Sequence, residues 1–274
     1  MQSEAYKLTG FTAVAAAMGF LLRWLQNLRI LDEETGLAVQ GAGISVIVVL
    51  VFIAVAAAIG VMAWRLERFD APLEPAEALG GVSFLAKAVY MLPALLFFLA
   101  GFVQLLTANA EHYAETQITM HRICGCAFLL AGAASAFFAG NHDRPEKTGV
   151  LRAAMGALLL AAALWLITEY KSAATDPVIW RFAPEVLAIC AALMAYYYVA
   201  GYYFTVPAPR ASVFFCYLAA FLCVVSAVDE HPLAETISYL AAAAQLFAWG
   251  YRIVVNLKPA GALTSPGTEP TAEE

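Results

Sequence analysis

Charge is the scarcest property of this chain. Only 13% of its 274 residues are Asp, Glu, Lys or Arg, about half the share of a soluble domain. Long hydrophilic stretches are missing too, so there is no room for a large soluble domain. The few charges leave a net −6, which argues against a nucleic-acid partner. Five cysteines are present, Cys124, Cys126, Cys190, Cys216 and Cys223, all within apolar runs. Their odd number and placement argue against a disulfide framework and for small buried side chains. No HExxH, no GxSxG elbow and no phosphate-binding glycine loop occurs. No cofactor is therefore expected, and an intramembrane enzyme is disfavoured.

What is present is apolar. The chain is 62% hydrophobic, with a mean hydropathy of +0.75, which places it in the membrane class. A bilayer core of about 30 Å takes roughly 20 apolar residues in a helix. Eight runs approach that length: 8–23, 44–64, 84–107, 121–140, 150–169, 178–204, 210–228 and 232–252. The first extends toward Arg29 and reads as a retained helix, since MQSEAYKLTG offers no small-residue cleavage site. The expected fold class is an all-α, polytopic transmembrane bundle of about eight spans. The bundle covers residues 1–256, and 257–274, rich in Pro, Gly, Thr and Glu, is expected to be a disordered cytoplasmic tail.

Orientation follows from the basic residues of the loops. One side gathers Lys7, Arg65, Arg68, Lys87, Arg144, Lys147, Arg152, Arg210, Arg252 and Lys258, and the other Arg23, Arg29, Arg122, Lys171 and Arg181. Both termini are thus expected in the cytoplasm of a cell whose surface membrane holds the protein. Spacings of four between small residues, in Gly132, Ala136 and Gly140, Ala56 and Gly60, and Ala244 and Ala248, predict close helix approach.

The run VIWRFAPEVLAI, residues 178–189, carries Arg181, Pro184 and Glu185 among apolar neighbours. Asp176 suits an N-cap, with Pro177 at the first helical position. Counting back about 20 residues from Phe204 sets the outer hydrocarbon edge near Glu185. Trp180 and Arg181 then reach the headgroups. Pro184 should bend the helix. Glu185 lies four residues after Arg181, so the two can pair. Two readings stay open: an interfacial ion pair that anchors the helix, or the wall of an outward-facing polar pocket. Glu169, His121, Arg122 and Glu235 fall at the same depth, as do Arg23, Asp229, Glu230 and His231. The candidate pocket is Arg181, Glu185, Glu169, His121, Arg122 and Glu235, against the alternative of a merely solvated rim.

HRICGC, residues 121–126, invites a metal. His121 and Cys124 share a helical face, but Cys126 points about 200° away at 3.6 residues per turn. His112, His142 and His231 are scattered along the sequence, so no metal or haem site is expected. In YYYVAGYYF, Tyr202 and Tyr203 suit an aromatic belt, and at least one of Tyr196, Tyr197 and Tyr198 must face the bundle. Gln104 and Gln245 are polar groups at membrane depth that need partners. Lys87 is expected to snorkel to the cytoplasmic surface.

LLRWLQNLRILDEETGL, residues 21–37, resembles uncharacterised multi-pass membrane proteins of Gram-positive anaerobes. The likeness lies in Arg23, Gln26, Asp32, Thr35 and Gly36. It implies a bacterial membrane protein and transfers no catalytic or binding residue. Two functions are expected in parallel: outward-facing binding or transport of a small molecule, or a non-catalytic accessory or sensory subunit acting through a membrane protein partner.

Overall fold

The computed structural model describes residues 2–30, 43–70, 75–80, 84–109, 115–173 and 179–259. The described chain is almost wholly helical. Its helices are α1 (Gln2–Ile30), α2 (Gly43–Trp64), the short α3 (Pro75–Leu79), α4 (Phe84–Thr107), α5 (Glu115–Asn141), α6 (Thr148–Ala173), α7 (Ile179–Tyr203), α8 (Pro209–Ser226) and α9 (Leu233–Asn256). Asp176 and Pro177, read as cap and first turn of α7, lie outside the described residues. So does the side chain of Arg181.

Among the described residues seven helices are long and apolar enough to cross a membrane: α1, α2 and α4 to α8. They make the chain a multi-pass membrane bundle. The eighth expected span, α9, is long enough at 24 residues but is not in that set. The reason is its position. It packs along α1, α4 and α8, and Ala234, Glu235, Tyr239, Leu246, Trp249 and Val254 are buried on it. A helix shielded by other helices need not be apolar all round.

The bundle runs up and down, with sequential neighbours α4–α5, α5–α6, α6–α7, α7–α8 and α8–α9 in contact, closed by α4 against α9. A two-residue antiparallel pairing joins Phe69–Asp70 to Lys258–Pro259, and the Asn256 amide donates to the carbonyls of Ala78 and Gly80. The segment after α9 therefore lies at the same end as the α2–α4 connection. The start of α1 is there too, with Glu4 and Lys7 beside Arg65. Leu257, Lys258 and Pro259, assigned to the tail from sequence, are thus tied to the bundle. Lys87 is held at this end by Asp143, at 2.9 Å.

Of the small residues expected to give close approach Gly132 does so, joined by Gly101 and Gly125. A Cβ on Gly101 would lie 2.7 Å from the Gly125 carbonyl, and one on Gly132 would lie 2.9 Å from the Phe98 ring. Gly101, Gly125 and Gly132 therefore let α4 and α5 touch backbone to backbone. Gly140 has nothing nearby, and Ala244 and Ala248 line an apolar groove of about 580 Å³ instead of a helix contact. The aromatic belt expected at Tyr202 and Tyr203 is overturned, because both are buried within the bundle.

Candidate functional site

The opposite end of the bundle is polar inside. It is built where α1, α4, α5, α6, α7 and the α8–α9 turn converge. Arg23 on α1 holds Asp229 of that turn through Nε to Oδ1 at 2.8 Å and Nη2 to Oδ2 at 3.1 Å. Both side chains are buried, at 4% and 6% exposure, which makes this a shielded, two-pronged pair. Asn27 donates to the same Asp229 oxygen at 2.7 Å, and Gln26 accepts from Arg23 Nη1 at 3.0 Å.

His231, two residues further, sits at the centre. Its Nε2 is 3.1 Å from the Ser226 carbonyl and 3.5 Å from Glu185 Oε1. Its Nδ1 is 3.7 Å from Glu235 Oε2. The other Glu235 oxygen is 3.7 Å from Nδ1 of His121, so one carboxylate stands between two imidazoles. His121 is oriented by Gln104 at 2.7 Å and by Ser172 at 3.2 Å. Glu169 and Glu185 each bring a carboxylate oxygen within 4.8 Å of a His231 nitrogen.

The local sequence accounts for much of this. His231, Glu235 and Tyr239 recur every four residues from the α8–α9 turn into α9, so they stack on one face. The Tyr239 ring packs 5.3 Å from the His231 ring. The Tyr239 hydroxyl is fully buried, and it has no hydrogen-bond partner among the described residues. It lies within electrostatic reach of Glu169, Glu185 and Glu235.

Of the six residues expected to form a pocket, four meet: Glu169, Glu185, His121 and Glu235. Arg122 does not. Neighbouring helical residues point about 100° apart, and with His121 inward Arg122 is exposed and donates to the Ala108 carbonyl. Arg181 is the sixth, and its side chain lies outside the described residues. The resemblance at residues 21–37 divides similarly. Arg23 and Gln26 enter the site, while Asp32, Thr35 and Gly36 lie outside the described residues. Tyr239, Asn27 and Ser172 were missed. The four-residue repeat after His231 was the signal for Tyr239.

Beneath the site the core closes. Trp165 packs on Tyr239 at 4.8 Å and Phe128 on Trp165 at 5.4 Å. Deeper, Tyr196 donates to Gln245 at 3.2 Å, and Gln245 donates to Ser135 at 2.9 Å. Gln245 thus finds its partners within a small buried network, while Gln104 finds its partner in the site. His121 and Cys124 are buried and Cys126 is exposed, as their helical spacing required. No protein-family model, curated protein or solved structure matches this chain.

Proposed function

We propose that this protein binds a small cationic ligand in the polar end of its bundle, reached from the outer face of a bacterial cell membrane. One observation carries the reading. Glu169, Glu185, Glu235 and Asp229 are brought together around His231 inside the bundle, with Arg23 paired to Asp229. Buried carboxylates at membrane depth are costly unless compensated. A ligand that brings positive charge supplies that compensation. Access runs past the α8–α9 turn, where Glu230 is exposed.

The aromatic floor favours binding over transport. A transporter needs a polar path, and Tyr239, Trp165 and Phe128 occupy the place such a path would take. The orientation, with both chain ends cytoplasmic, rests on the ten-to-five bias of basic residues. An accessory role is the second reading. It draws on α2, which lies at the rim of the bundle with most of its surface uncovered and could seat against another membrane protein.

Thermal unfolding in mild detergent tests the main reading. Metal ions and organic cations are screened against wild type and Glu185→Gln. Ligands that bind the folded state raise the melting temperature. The reading expects at least one cation to stabilise wild type and to lose that effect in the variant. No stabilisation by any cation, with a higher melting temperature for Glu185→Gln, overturns it.

A further inference from the structure

We infer that the ligand is a divalent transition-metal ion, held by Nδ1 of His231 and the carboxylates of Glu169 and Glu235. This rests on the cation-binding reading above and specifies it. Ligand atoms of these three residues all lie within 4.8 Å of one another. Around a tetrahedral ion with bonds of about 2.1 Å, neighbouring ligand atoms stand about 3.4 Å apart. His231 Nδ1 and Glu235 Oε2 are 3.7 Å apart, too long for a hydrogen bond and close to that edge.

The tautomer agrees. A carbonyl oxygen only accepts, so the 3.1 Å contact between His231 Nε2 and Ser226 places the ring proton on Nε2. Nδ1 then carries the lone pair, on the side of Glu235. Metal-binding imidazoles commonly donate their other N–H to a carbonyl or carboxylate in this way. His121 is a second imidazole beside Glu235. It stands 3.7 Å from the second carboxylate oxygen and is itself fixed by Gln104 and Ser172.

A second and independent observation is the Tyr239 hydroxyl. It is buried and unpartnered among the described residues, on a ring packed 5.3 Å from that of His231 and within electrostatic reach of the three glutamates. Burying a hydroxyl without a hydrogen bond costs about 1–3 kcal/mol. A water or anion on the metal's fourth position gives it a partner. One imidazole with two carboxylates suits zinc, manganese, iron or cobalt; calcium and magnesium prefer oxygen-only sets. Asp229 also lies near His231, but its oxygens are already engaged by Arg23 and Asn27. Glu185 stands beside Glu169 and can accept from a metal-bound water.

The test uses the full chain in detergent, stripped with a chelator and titrated with Co²⁺. Elemental analysis and the visible absorption of tetrahedral cobalt are the readouts. The inference expects one ion per chain, with affinity at least tenfold lower in Glu235→Gln and in His231→Gln and unchanged in His142→Gln. Tyr239→Phe should keep the ion and change the cobalt spectrum. The wild-type stoichiometry needs no variant to fold. Absence of bound cobalt while an organic cation still stabilises wild type overturns the metal and leaves the cation site standing. Absence of both overturns both. Binding that survives His231→Gln and Glu235→Gln overturns the assigned ligands.

Discussion

Single residues decide this molecule through buried charge. Arg23 and Asp229 neutralise each other at 2.8 Å with almost no water contact. Removing one partner strands the other, which costs about 3–5 kcal/mol. Arg23→Ala should lower the melting temperature in detergent by many degrees, and the Arg23→Ala/Asp229→Ala double variant should recover part of the loss. His142, just past α5, sets a different residue-scale expectation. It is fully buried and stacked on Phe138 at 5.5 Å, and burial holds its pKa below the ordinary imidazole value. The unfolded chain therefore binds the extra proton first. His142 contributes its stability fully above about pH 6.5, and that contribution is lost as pH falls below it. Melting curves at falling pH should drop less steeply for His142→Phe than for wild type.

At the scale of elements, the α4–α5 contact is the most extensive among the described helices, and glycine makes its close approach possible. Gly101→Ala puts a methyl against the backbone of Gly125 and Leu129 and should destabilise by about 1–3 kcal/mol. Gly140→Ala meets nothing and should be neutral or stabilise by about 0.5–1 kcal/mol. Equal effects from the two would refute the contact. The same helices show what sequence can disclose. Runs of apolar residues mark helices because lipid demands them, so the spans were legible. Glu169, Glu185, His121 and Glu235 were legible as polar groups at one depth. Depth is a coordinate along the helix, and it leaves the direction around the helix open. That is why Arg122 was grouped with His121, and why Tyr202 and Tyr203 were read as a belt when they face inward. Which glycines meet a neighbour depends on which helices adjoin, and no local spacing encodes that.

For the whole molecule, the start of α1 and the segment after α9 lie at one end. Reporter fusions at both termini should read the same compartment, and the basic bias names it as the cytoplasm. Opposite readings would remove α9 from the membrane. That helix also carries a consequence for how the protein is made. It leaves the ribosome after α1 to α8, yet it supplies His231's neighbours Glu235 and Tyr239 and fills the space beside α4 and α8. Its composition alone does not qualify it as a span, so its insertion must be helped by helices already in place. Until then the nascent bundle holds an open slot with Gln104 and His121 at its polar end. A chain stopped at residue 232 should insert its earlier helices and still be degraded rapidly, as pulse–chase labelling would reveal. Insertion of α1 to α8 thus leaves a place for a keystone helix, and its docking is a late event for quality control to inspect.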